Sequence, residues 1–264
     1  MATKNQQPAR DASKQRNEAI ETNVVGLQLL IMASLMSQTD LAEFLLHSGM
    51  AVDAVGPDGN TPLIAAVSTG RTDMTQLLLR RGARVDRKRP DGYSALLEAC
   101  QCGYTSVVRV LLAHGAGMRQ TNAQGWTPLM LAAELGSTQV VDLLLAQKPP
   151  LDAWQPNRCT ALYVASVHGH VGVASMLLEL GADLELTDHK GWTPLMAAAW
   201  KNHLQVVTLL LDRGAAVNKK QYDGCTPLFV AANTDTSRLR ACCWTTVQRS
   251  MSLTTPAGRR SWHT

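Results

Sequence analysis

Aromatic residues are scarce in this chain: they make up 5% of its 264 residues, and the two phenylalanines, Phe44 and Phe229, stand alone. Any core is therefore aliphatic, and clusters such as Leu77-Leu78-Leu79, with Ala recurring between them, point to small, close-packed helices. Charge is modest as well, 17% against 45% hydrophobic, a balance too apolar for a wholly disordered chain. The six cysteines lack the paired spacing of a disulfide framework, which reads as a reducing compartment, cytoplasmic or nuclear. A run long enough to cross a bilayer is also missing. The first twenty-two residues are polar, and the apolar run behind them, Val24 to Met36, covers thirteen. That run reads as a helix facing a core rather than an interfacial anchor, signal peptide or membrane span.

The net charge of +4 does not make a basic face once it is placed. Lys4, Arg10, Lys14 and Arg16 against Asp11, Glu18 and Glu21 give the leader +1. Residues 235–264 carry Arg238, Arg240, Arg249, Arg259 and Arg260 against Asp235, or +4, which leaves the body at −1. Nucleic acid is not an expected partner.

What the chain does have is a period of 33 residues: Gly59, Gly92, Gly125, Gly191 and Gly224 lie on it, with Arg158 in the remaining slot. Two residues after each comes Thr or Ser (Thr61, Ser94, Thr127, Thr160, Thr193, Thr226), then Pro in four units and Ala in two, then Leu. The Gly suits a turn, the hydroxyl suits a helix N-cap, and Pro at the first helical position forfeits no needed donor. Small residues at Ala66, Ala99, Ala132, Ala165, Ala198 and Ala231 let neighbouring helices approach. A second helix carries Leu77 to Leu79, Val110 to Leu112, Leu143 to Leu145, Met176 to Leu178 and Leu209 to Leu211, and stops at Gly82, Gly115, Gly181 or Gly214.

This unit resembles the ankyrin repeat, through Asp58-Gly59-Asn60-Thr61-Pro62-Leu63, Lys190-Gly191-Trp192-Thr193-Pro194-Leu195, Gly181-Ala182-Asp183 and Gly214-Ala215-Ala216-Val217-Asn218. The resemblance implies an all-α solenoid, a single array of helix-turn-helix repeats with β-turn fingers. Its expected parts are a disordered polar leader (1–23), a capping repeat (24–56), five full repeats (57–222), the start of a sixth (223–234) and an aberrant tail (235–264). Two departures stand out. The family's usual His after Thr-Pro-Leu, which bridges backbone groups between units, is replaced by Ile64, Leu97, Met130, Tyr163, Met196 and Phe229, so apolar packing is expected there in every repeat. At one junction Lys148-Pro149-Pro150 replaces the Gly-Ala cap and Asn157-Arg158 the turn, with Asn157 expected to take the positive φ.

After Ala231-Ala232 the pattern vanishes, although the period calls for a leucine triplet at Cys242, Cys243 and Trp244. Reading the third base of each codon with the first two of the next, Cys243 and Trp244 become leucine in every codon choice, and Cys242 becomes leucine in some. Thr245 becomes aspartate, as at Asp212, and residues 257 to 263 permit Gly-Trp-Thr-Pro-Leu-Met-Ala. Only Thr264, read as His or Tyr, departs from the period. The reading frame is therefore expected to have slipped near residues 232–234.

The resemblance also implies a concave face, lined by turn tips and the ends of first helices, that binds a protein or peptide. Carried over by position, its aromatic anchors are Tyr93, Trp126, Trp192 and Trp200, with Glu134, Leu135, His168, Lys190 and Lys201 around them. Trp154, on the irregular junction, is a further aromatic candidate. His168-Gly169-His170 reads as the ordinary inter-helix turn rather than a metal site, Cys100 as a buried small residue, and Asn218 as a candidate modification site for an asparaginyl hydroxylase. Neither a phosphate-binding loop nor a catalytic Ser, His and Asp set stands outside the structural positions, and no cofactor is implied. The expected function is that of a monomeric adaptor or scaffold. The alternative is the N-terminal regulatory part of a longer enzyme, channel or ubiquitin-ligase receptor.

Overall fold

A computed structural model describes residues 25–153 and 156–233. The chain divides into two compact units, residues 1–123 and 124–264. Every named element among the described residues is a helix, and one isolated antiparallel bridge joins Lys88 to Ser94.

The first unit holds α1 (residues 25–36), α2 (Thr39–His47), α3 (Pro62–Ser68), α4 (Thr72–Arg80), α5 (Ala95–Cys102) and α6 (Thr105–Ala113). Here α3 packs on α4 and α5, α5 on α6, and α4 on both α2 and α6. First helices thus stack on first helices and second on second. The second unit repeats the scheme with α7 (Pro128–Leu135), α8 (Thr138–Leu145), α9 (Ala161–His168), α10 (Val171–Glu179), α11 (Pro194–Trp200), α12 (Leu204–Asp212) and α13 (Pro227–Asn233). Its first helices pack in the order α7, α9, α11, α13, and its second helices in the order α8, α10, α12.

Helices of seven to nine residues are marginal in water, so local caps and tertiary packing must hold them. Thr61, Thr127, Thr160, Thr193 and Thr226 each accept the backbone N–H three residues on, at 3.2–3.3 Å. Ser94 departs from this expectation: its backbone joins the bridge to Lys88, and its buried Oγ accepts from no N–H. Ala66, Ala99, Ala132, Ala165, Ala198 and Ala231 are fully buried, which is how first helices come so close. The apolar run over α1 faces the core only in part. Leu30 and Ala33 are buried, whereas Val25, Leu29, Met32 and Met36 are exposed.

The turn at Asn157-Arg158 differs from expectation: the left-handed residue is Arg158, at φ 60°. It occupies the slot where Gly59, Gly92, Gly125, Gly191 and Gly224 also have positive φ, so the repeat's geometry overrides residue preference. Lys148, in the slot of Gly115, takes φ 54° for the same reason. A side chain in this region costs about 1–2 kcal/mol, partly offset because Gly loses more entropy on folding. Arg158→Gly and Lys148→Gly should therefore each raise stability by about 0.5–1 kcal/mol in urea titration. A loss of stability in both would contradict the strain.

Candidate functional site

In the second unit, the turn before α11 is built on one carboxylate. Asp188 Oδ1 accepts the backbone N–H groups of Lys190 and Trp192, each at 2.8 Å. The Asp188 N–H donates to Trp192 O, and Gly191 N–H returns to Asp188 O. Oδ2 accepts the Tyr163 hydroxyl from α9 at 3.2 Å. Asp188 is 6% exposed, and these donors are what make its burial tolerable. Burial, and secondly the Asp188 charge, push the Tyr163 phenol far above its usual range, so it remains a donor.

This corrects one sequence expectation. Apolar packing does fill the histidine slot at Ile64, Leu97, Met130 and Met196, all buried. At Tyr163 the slot instead carries a polar bridge to the next repeat's turn, because a phenol reaches Asp188 where an aliphatic side chain stops short. Phe229 departs in another way: it is 58% exposed, with no described repeat beyond α13 to pack on it. Tyr163→Phe should leave Asp188 Oδ2 short of a donor and cost about 1–2 kcal/mol in chemical denaturation. An unchanged midpoint would show that the hydroxyl does not support the turn.

Beside this turn opens a cleft of about 330 Å³ lined by Tyr163 and Val167 of α9, Asp188, Lys190 and Trp192 of the turn, and Ala197, Trp200 and Lys201 at α11. Trp192 and Trp200 meet edge to face, ring centres 5.9 Å apart and planes at 85°. Trp192 is half-buried, Trp200 is 51% exposed, and Lys190 and Lys201 are exposed. Four sequence-predicted site residues thus come together here. The sequence reading missed Val167 and Ala197 and did not assign Tyr163 or Asp188 to the site. The available signal was polar: Asn122 and Gln221, one period either side of the 155 and 188 slots, are buried like Asp188.

The other candidates are placed separately. His168 is exposed at the end of α9, its ring stacked on His170 with centres 6.0 Å apart. Partial burial lowers its pKa, His170, His203 and Lys201 add to the effect, and Glu134 opposes it. Glu134 is half-buried and Leu135 exposed at the end of α7, and Trp126 is half-buried. His170 and His203 make polar ties between repeats, their Nε2 atoms 2.8 Å from Glu134 O and 2.9 Å from Val167 O. Tyr93 lies in the first unit, half-buried, with the Arg89 guanidinium 5.1 Å from its ring centre. Arg89 also pairs with Asp91 at 2.8 Å and Glu98 at 3.2 Å. Trp154 lies outside the described residues, and Asn218 is exposed. Cys100 is buried, which pushes its thiol far above the usual range.

A second recess, of about 290 Å³, lies in the first unit between α1 and the turn at 56–60; Ile31, Met32 and Leu35 line it with Asp58 and Asn60. It holds none of the sequence-predicted site residues. Among the described residues no group of three or more His, Cys, Asp and Glu is placed to hold a metal, and no helix is long and apolar enough to cross a membrane.

The family model described as "Ankyrin repeats (3 copies)" matches residues 29–122, 96–188 and 180–243. No curated protein sequence matches the chain significantly. Among solved structures, the human ASB11 ankyrin repeat domain is similar at 29% identity and TM-score 0.74, over 82% of this chain and 96% of that one. The ankyrin repeat domain of Bcl-3, a member of the IkappaB protein family, is similar in fold at 24% identity and TM-score 0.72, over 81% of this chain and 96% of that one. Stacked helix pairs, Thr-capped first helices and a family match running from residue 29 to residue 243 make the chain a member of the ankyrin-repeat family.

Proposed function

We propose that the chain is an adaptor or scaffold that presents turn tips and first-helix ends, on the concave face its fold family implies, to a protein or peptide. Ankyrin repeats generally serve protein–protein interaction, and they are non-catalytic scaffolds. The observation that carries the reading is the Trp192–Trp200 pair standing in an open cleft beside two exposed lysines. Two neighbouring tryptophans at an open surface are the kind of apolar patch that marks an interaction site, and Trp is enriched at the energetic centres of interfaces. A rigid, preformed face reduces the ordering cost of binding.

Quantitative affinity capture tests this. Proteins retained by the full chain should fall at least about tenfold with Trp192→Ala or Trp200→Ala, the loss expected when a hot-spot anchor is truncated. Phe44→Ala, on the exposed side of α2, should leave them unchanged. Equal recovery by all variants would contradict the reading.

A second reading has one observation behind it. The alternative frame at 242–263 continues the repeat, as expected if this is the regulatory repeat region of a longer enzyme, channel or ubiquitin-ligase receptor. A further domain encoded beyond that frame would support it.

A further inference from the structure

The cleft at α9, α11 and the Asp188 turn is apolar inside and positive at its mouth. Lys190 and Lys201 are exposed, and among the described residues neither makes an ion pair. Among the described residues the one carboxylate lining the cleft, Asp188, is buried and spent on Tyr163 Oη and two backbone N–H groups. Partial burial lowers the His168 pKa, and Glu134, which opposes that shift, is half-buried. A ligand therefore meets two unpaired ammonium groups and the faces of Trp192 and Trp200.

We propose that this cleft binds an extended acidic peptide segment, with one aromatic or leucine side chain seated against Trp192 and Trp200 and flanking Asp or Glu side chains paired with Lys190 and Lys201. The proposal rests on the protein-binding reading above and names its partner's chemistry. A volume of about 330 Å³ suits one large side chain with its adjoining backbone rather than a whole helix. The ammonium groups supply charge complementarity at the rim, which fixes register and speeds encounter more than it adds affinity.

Two other occupants fit less well. A methylated or free ammonium group would find aromatic faces but no accessible carboxylate, and would be repelled by both lysines. A single-stranded nucleic acid would find stacking platforms, but in a chain body of net charge −1 rather than a basic one.

The test is selection of a displayed library of random dodecapeptides on the full chain, repeated on Lys190→Glu/Lys201→Glu. Both lysines are exposed, so the double variant should keep the parent's thermal unfolding midpoint. Peptides from the parent should carry an aromatic residue or Leu within two positions of Asp or Glu. The best of them should bind the double variant and Trp200→Ala at least tenfold more weakly, and the double variant should select basic flanks instead. Basic flanks or trimethyl-lysine preferred by the parent, tighter binding of a twenty-nucleotide oligothymidine, or affinity indifferent to the double variant would each overturn the proposal. Peptides that bind well but ignore Trp200→Ala would overturn it while leaving protein binding intact. Recovery of no peptide, together with equal capture by all variants in the affinity experiment, would overturn both.

Discussion

Gly92→Ala is expected to destabilise the protein by about 3 kcal/mol or more, a large loss for one methyl group in a chain of this kind. Two causes add. Gly92 sits at φ +83°, where an L side chain costs about 1–2 kcal/mol. A Cβ there would also lie 2.5 Å from Ala123 N and 2.8 Å from Asn122 C, which are backbone atoms that cannot rotate away. That approach is where Ala123 N–H donates to Asp91 O at 2.9 Å, so relief of the clash would lengthen a bond tying one repeat's turn to the next, worth about 1 kcal/mol. Gly115→Ala supplies the control. Gly115 has φ +80° but nothing within 4 Å of a built Cβ, so only the backbone strain remains, about 1–2 kcal/mol less any unfolded-state gain. Urea titration of both should place Gly92→Ala clearly below Gly115→Ala. Equal losses would show that turn-to-turn approach adds nothing.

The second large effect is expected from residues 235–264. The alternative frame places leucine at 243 and 244 and permits it at 242, one period after Leu209 to Leu211. In the slot of 243 the counterparts Leu78, Leu111, Leu144, Leu177 and Leu210 are all buried, and in the slot of 244 so are Leu79, Leu145 and Leu211, whereas the slot of 242 is half-buried throughout. In stacked repeats each unit buries its apolar face only against its neighbours, and α13 ends the described stack with Phe229 and Tyr222 exposed. Replacing the tail by its alternative-frame reading should therefore complete a helix pair over α12 and α13. Burying two leucines is worth roughly 4 kcal/mol before ordering costs, so a net gain of about 1–3 kcal/mol is expected. The urea m-value should rise as well, because more surface is exposed on unfolding. A midpoint and m-value equal to the parent's, or a transcript with no indel or alternative junction across codons 225–250, would contradict the slipped frame.

Much of the fold was legible because its signals are local and repeated. The Thr-Pro pair, the buried Ala and the terminal Gly each act within one unit, and repetition makes them visible in a single sequence. That Lys190, Trp192, Trp200 and Lys201 fall on one face was legible because each occupies a turn-tip or helix-end slot of that unit. What lay hidden depends on contacts between units. Tyr163 looks apolar until its hydroxyl is placed against a carboxylate 25 residues on. Asp188 looks like an ordinary turn acid until its burial is known. Arg158 was passed over for Asn157 because residue preference was weighed above the period, yet the turn's geometry belongs to the slot. His170 reads as an ordinary turn residue, although its ring, like that of His203, ties each repeat to a carbonyl of the one before.

The central claim is that the Trp192–Trp200 cleft is where this chain meets its partners. NMR of the uniformly ¹⁵N-labelled full chain, titrated with the best peptide from the library selection, tests it most directly. The account predicts that the indole N–H signals of Trp192 and Trp200 and the backbone amides of residues 188–192 and 200–201 shift together and saturate with one affinity. The control residues around Phe44 and Gly115 should stay still. Saturable shifts confined to other residues, with both indoles unmoved, would contradict the account.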